Sequence, residues 1–121
     1  MPGFDKVSPL RIDREIGQHC QIFRLSGIFD VFSVPTFCRV LEKSVEENPR
    51  NSILDFTDVD LIDSSSFGVL VDLCKKIQKN GGTLQIVGSP RVARVIQCLR
   101  LEQFLSLQPS VDAALRNLEK S

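Results

Sequence analysis

The sequence has no long hydrophobic run, and its apolar stretches are only a few residues each, far short of the about 20 needed to cross a bilayer. The start, "MPGFDKVSPL", carries no signal-peptide apolar region, so the expectation is a soluble, cytoplasmic protein. Excess charge of either sign is missing too: 15 Lys and Arg balance 15 Asp and Glu. With no basic block to neutralise phosphates, nucleic acid is excluded as an expected partner. Cys20, Cys38, Cys74 and Cys98 form no C-x-x-C pair, and His19 is the single histidine, which leaves too few closely spaced ligands for zinc. Each cysteine lies in an apolar segment and reads as a buried structural thiol. There is no internal repeat, low-complexity tract or long linker. The 121 residues, 42% of them apolar, fit one domain spanning 1–121 with its core over about 11–118.

Catalytic motifs are also lacking. No G-x-S-x-G is present, and no base marks any serine as a hydrolase nucleophile; His19 reads as a hairpin residue. The glycines of "NGGTLQIVGSP" mark a helix stop and a strand end, so there is no phosphate-binding G-x-x-x-x-G-K-[ST] loop. Asp55, Asp58, Asp60 and Asp63 alternate around a strand end and cannot all face one cation, so they read as a solvated acidic loop.

What is present is a regular alternation of patterns. Residues 11–26, interrupted at Gly17, predict a hairpin of two short strands. Ser33 then stands as cap of a helix with Val34, Phe37, Cys38, Leu41 and Val45 on one face, ending near Asn48-Pro49. "SILDF" at 52–56 predicts a buried strand. A second helix places Phe67, Leu70, Val71, Cys74 and Ile77 inward and stops at "NGG". A strand at 83–87, a helix capped by Ser89-Pro90, a brief strand at 104–107 and a helix capped by Ser110 complete the chain. The order β-β-α-β-α-β-α-β-α predicts an α/β fold: a mixed, mostly parallel central sheet of about five strands, with an N-terminal hairpin and about four helices.

Sites in such sheets gather beyond the carboxyl ends of the strands, and "TDVDLIDSSS" leaves the 52–56 strand in that direction. Asp63 or Ser64 caps the following helix by accepting from a free N–H. A hydroxyl there can also be phosphorylated by another protein, since the helix N-terminus tolerates the added negative charge.

"ILDFTDVDLIDSSSFGVLVDLCKKIQKNGGTLQIVG", 53–88, resembles the STAS domain of bacterial anti-sigma factor antagonists, whose signature is an apolar strand, Asp-Ser-Ser/Thr-Gly-hydrophobic-Gly, then a helix. The likeness continues through "LSGIFD" at 25–30 and the β-α-β-α tail. The resemblance implies a STAS-like single domain that is not an enzyme. By it, Ser64 is the phosphoacceptor, Asp63 supports it, and Asp30, Asp60, Ser65, Ser66 and Phe67 belong to the partner-binding surface. The implied partners are an anti-sigma factor that is also a serine kinase, bound when Ser64 is unphosphorylated, and a PP2C-type phosphatase that resets the switch. ATP and magnesium belong to that kinase, and no cofactor of the chain itself is implied. Two departures stand out. Ser66 replaces the family glycine, placing a side chain and an extra hydroxyl where a partner backbone would approach, and Ile28 replaces the usual acidic residue after Gly27. A constitutive STAS scaffold without a switch, and a domain sensing a small ligand or nucleotide at 57–66, are the alternative readings. Monomer is the default state.

Overall fold

The computed structural model describes residues 9–17, 20–47, 51–102 and 105–119, with the side chains of residues 47 and 119 left aside. His19, Asn48, Pro49 and Phe104 lie outside the described residues. The elements are β1 (Arg11–Ile16), β2 (Cys20–Phe29), α1 (Val34–Glu47), β3 (Asn51–Ile62), α2 (Ser64–Lys79), β4 (Thr83–Val87), α3 (Pro90–Cys98), β5 (Ser106–Gln108) and α4 (Val111–Glu119). They form one five-stranded sheet in the order β1-β2-β3-β4-β5. β1 and β2 pair antiparallel, and the remaining neighbours pair parallel. The expected element order and sheet type are those observed.

The arrangement of layers follows from the strand order. Parallel crossovers are right-handed, so stepping from β2 to β5 in one direction puts every connecting helix on the same face. Accordingly, Phe37, Leu41 and Val45 of α1, Phe67, Leu70 and Ile77 of α2, and Val92 and Ile96 of α3 share one cluster with Phe23, Phe29, Leu54, Phe56 and Ile86 of the sheet. Phe29 lies edge-on to Phe37, with ring centroids 4.6 Å apart, and stacks over Phe56 at 6.1 Å. α4 follows the last strand and escapes that constraint. Its Ala114 packs on the opposite face with Cys20, Ile22, Ile53 and Val87. The buried Gln85 satisfies its amide on α4, donating to the Ala114 carbonyl at 3.1 Å and accepting from Asn117 Nδ2 at 3.1 Å.

Several boundaries differ from expectation. β3 runs to Ile62 instead of ending at Phe56, so the "acidic loop" is strand. Its alternation was hidden by two register shifts. Arg24 pairs Asp55 and Ser26 pairs Asp58, then Gly27 pairs Val59 and Ile28 pairs Leu61, each shift placing one extra residue on β3. At the first shift the Asp55 carboxylate accepts from the Thr57 N–H at 3.0 Å. At the second, Gly27 takes φ +94°, a conformation side chains disfavour. Ser33 immediately precedes α1, but its hydroxyl turns back to Asp30 and Ile28 and leaves the helix N–H groups alone. Ser89 and Ser110 do cap their helices, accepting from the N–H groups of Val92 and Ala113. β5 starts two residues later than expected. Cys20 and Cys74 are buried, and burial pushes their thiols up, with Glu15 adding to the effect at Cys20. Cys98 is exposed and Cys38 only partly covered, so neither fits the expected buried thiol.

Candidate functional site

β4 pairs β3 only from Asn51 to Asp55, whereas β2 and β3 continue together to Phe29 and Ile62. The result is a two-stranded ribbon that projects past β4 and delivers Asp30 and Asp63 side by side at its tip. The Asp63 N–H closes the ribbon by donating to the Phe29 carbonyl at 3.2 Å.

Asp63 is the N-cap of α2, with extended backbone (φ −100°, ψ 171°). Its Oδ1 accepts from the Ser66 N–H at 3.1 Å, the Ser66 hydroxyl at 2.9 Å and the Ser65 hydroxyl at 2.7 Å. Its Oδ2 accepts from the Val31 N–H at 3.1 Å, tying the first turn of α2 to the turn before α1. Partial burial pushes this carboxyl up, but the hydrogen bonds from Ser65, Ser66 and Val31 outweigh it and hold the carboxyl below its ordinary value. Asp30 does the matching work in its own turn, its Oδ1 accepting from the N–H groups of Phe32 and Ser33 at 3.0 and 3.1 Å.

The three serines therefore have three different environments. Ser65 is exposed but hydrogen-bonded to the cap. Ser66 has no exposed surface, and its single hydroxyl proton is shared between Asp63 Oδ1 and the Phe29 carbonyl, 3.0 Å away. Ser64, the first residue of α2, is exposed, and among the described residues its hydroxyl has no hydrogen-bond partner.

These positions change the expected docking face. Asp30, Asp63, Ser64 and Ser65 lie together at the ribbon tip, whereas Asp60 is exposed three residues earlier on β3, its carbonyl accepting from Arg91 Nη1 of α3 at 3.4 Å. Ser66 and Phe67 were expected on that face and are instead buried, Ser66 against the Phe29 carbonyl of β2 and Phe67 in the core beneath α1, α2 and α3. The extra hydroxyl at 66 is thus an internal strut and presents nothing outward.

Residues that sequence reasoning missed lie beside the cap. Phe32, Val31 and Leu61 are 88%, 56% and 54% exposed. The apolar pair "VF" between Asp30 and Ser33, where a turn ordinarily carries polar residues, was the available signal. A cleft of about 320 Å³ borders Asp30 and Phe32, and none of residues 57–66 lines it. Among the described residues, no group of three His, Cys, Asp or Glu side chains could hold a metal, and no helix is long and apolar enough to cross a membrane.

The STAS domain family matches residues 11–114. The anti-sigma-B factor antagonist of Staphylococcus aureus is 24% identical over 90 residues, 74% of this chain and 83% of that protein. Among solved structures, an anti-sigma factor antagonist from Mycobacterium paratuberculosis superposes with a TM-score of 0.82 at 21% identity, covering 91% of this chain and 94% of its own. The Bacillus cell fate determinant SpoIIAA, in its phosphorylated form, gives 0.68 at 17% identity, covering 89% and 99%. At those identities the two structures show a shared fold.

Proposed function

The chain belongs to the STAS domain family, and on that premise we propose that it is an anti-sigma factor antagonist whose docking is switched by phosphorylation of Ser64. The partner is an anti-sigma factor with serine kinase activity, and a PP2C-type phosphatase resets the switch. The chain itself is a cytoplasmic substrate and ligand, and no catalytic step is assigned to it. One observation carries the choice of residue: of the three serines, Ser64 alone combines an exposed hydroxyl with freedom from the capping network.

The chemistry is consistent in both states. A phosphate at the first position of α2 meets the positive end of the helix dipole and its free N–H groups, so the fold accepts it. On the outside, about two further negative charges join Asp30, Asp60 and Asp63. A partner covering Ser64 would have to desolvate that dianion, and an unpaired buried charge costs several kcal/mol. Asp63 supports the acceptor by fixing the turn. Asp30, Asp60 and Ser65 form the polar part of the docking face, Phe32, Val31 and Leu61 its apolar part, while Ser66 and Phe67 serve it from within. That the same fold is known in a phosphorylated form in SpoIIAA supports the reading.

The test is association of the purified kinase partner with wild type and with Ser64→Asp. Loss of about 3 kcal/mol, roughly 100-fold in Kd, is expected for the variant. Equal affinity of the two proteins would overturn the switch.

A further inference from the structure

Arg91 stands at the unfavourable end of its helix. It is the second residue of α3, after Pro90, and a cation in a first turn opposes the positive end of the helix dipole. A carboxylate could compensate, yet among the described residues Arg91 has no ion pair. Its one hydrogen bond to a described residue runs from Nη1 to the Asp60 carbonyl at 3.4 Å, a long contact to a neutral acceptor. The side chain is exposed, and most of its guanidinium donors are unused within the chain. The first turns of α1 and α2 read "VPTF" and "SSSF", so of the three helices α3 alone begins with a cation.

The fold turns this cation toward Ser64. Sequential parallel strands set α1, α2 and α3 side by side in that order. Val69, Leu73 and Lys76 of α2 line a groove with Cys38 and Glu42 of α1, so that flank of α2 faces α1. At about 100° per residue, Ser64 and Val71 fall on the opposite flank, toward α3. Arg91 reaches the other way, from α3 to the edge of β3 that β4 leaves uncovered beyond Asp55. At a strand rise of about 3.3 Å per residue, roughly 10 Å separates Asp60, whose carbonyl Arg91 holds, from the Asp63 cap that precedes Ser64. The hydroxyl and the guanidinium thus flank the head of one groove.

We propose that Arg91 is the internal phosphate receptor of the switch: once Ser64 carries phosphate, the guanidinium leaves the Asp60 carbonyl and pairs with the phosphate across the head of the α2–α3 groove. A planar guanidinium matches two phosphate oxygens at once, and charge-assisted hydrogen bonds are about twice as strong as neutral ones, so phosphate displaces a carbonyl held at 3.4 Å. The proposal rests on the functional reading above and adds the residue that recognises the modified state from within the chain. One cation does not neutralise a dianion, so the charge that opposes the partner remains. What the pair adds is position: the phosphate is drawn toward α3, away from the Asp63 carboxylate, and the edge of β3 at Asp60 is released.

The experiment inserts phosphoserine at position 64 during translation, so that no kinase is needed, in the wild-type background and with Arg91→Gln, Arg91→Lys and, as an exposed control one turn on, Arg94→Gln. Phosphorus NMR follows the second ionisation of the phosphate with pH. Asp30, Asp60 and Asp63 raise that pKa in every protein, whereas Arg91 lowers it only where it is present, so the comparison isolates the arginine. The phosphate pKa is expected to rise by about 0.5 in Arg91→Gln, by less in Arg91→Lys and not measurably in Arg94→Gln. In the wild-type background the Arg91 Nε–H resonance, assigned by its absence from Arg91→Gln, is expected to move between the serine and phosphoserine forms. An unmoved resonance, equal phosphate pKa values with and without Arg91, or an equal rise in Arg94→Gln overturns the inference and leaves the phosphoswitch standing. Absence of phosphate on Ser64 after incubation of the wild-type chain with the partner kinase and ATP overturns the underlying reading and the inference with it.

Discussion

Asp63 does two jobs with one carboxylate: Oδ1 caps α2 through Ser65 and Ser66, and Oδ2 holds the Val31 N–H of the neighbouring turn. Replacing it with alanine removes both at once, and the expected cost is about 1 kcal/mol, the usual size of a lost N-cap. The carboxyl also makes stability depend on pH in a definite direction. Its folded value lies below the unfolded one, so the folded state gains from ionised Asp63 above the ordinary carboxylate value of about 4 and loses that gain as pH falls through the lower, folded value. Urea unfolding of wild type and Asp63→Asn between about pH 7 and pH 2 checks this. Wild type is expected to lose more stability across the acid limb than Asp63→Asn, whose side chain does not titrate, and parallel curves would refute the assignment.

At the scale of elements, α2 is joined to the end of β2 chiefly by Ser66, whose hydroxyl reaches both the helix cap and the Phe29 carbonyl. Ser66→Gly, which restores the residue of the family motif, is expected to destabilise the protein by about 1–2 kcal/mol, from a lost buried hydrogen bond and the lower helix preference of glycine. Kinase affinity is expected to stay within about twofold of wild type, since the side chain is fully buried; chemical denaturation and calorimetry read the two effects separately. The elements were largely legible in advance because their patterns are strong: apolar positions of α1 and α2 at helical spacing, Ser89-Pro90 and Ser110 at helix starts, and "NGG" at a helix stop. β3 was read too short for a physical reason. Two bulges break its period of two just where Asp55, Asp58 and Asp60 enter, and a strand paired on one side only can carry exposed charge. The same spacing that made Phe67 a core residue of α2 also places Ser66 inward. Its inward direction was therefore available from the helix period, whereas its partner, a carbonyl 37 residues earlier, required the fold.

For the molecule as a whole, the sheet order dictates the position of the site. Sequential parallel strands put α1, α2 and α3 on one face, and the longest pair, β2 and β3, reaches beyond the others. The end that carries Ser64 is thus a ribbon tip and two helix starts held by carboxylates, with an apolar prominence at Phe32. Such an end docks a protein better than it encloses a small molecule, because its functional groups converge on a surface. Phosphate mapping tests this most directly. The chain, its Ser64→Ala variant and its Ser65→Ala variant are incubated with the partner kinase, ATP and magnesium, and the products are sequenced by mass spectrometry. One phosphate is expected on Ser64 in wild type and in Ser65→Ala, and none in Ser64→Ala. Phosphate on Ser65 in wild type, or undiminished phosphorylation of Ser64→Ala, would contradict it.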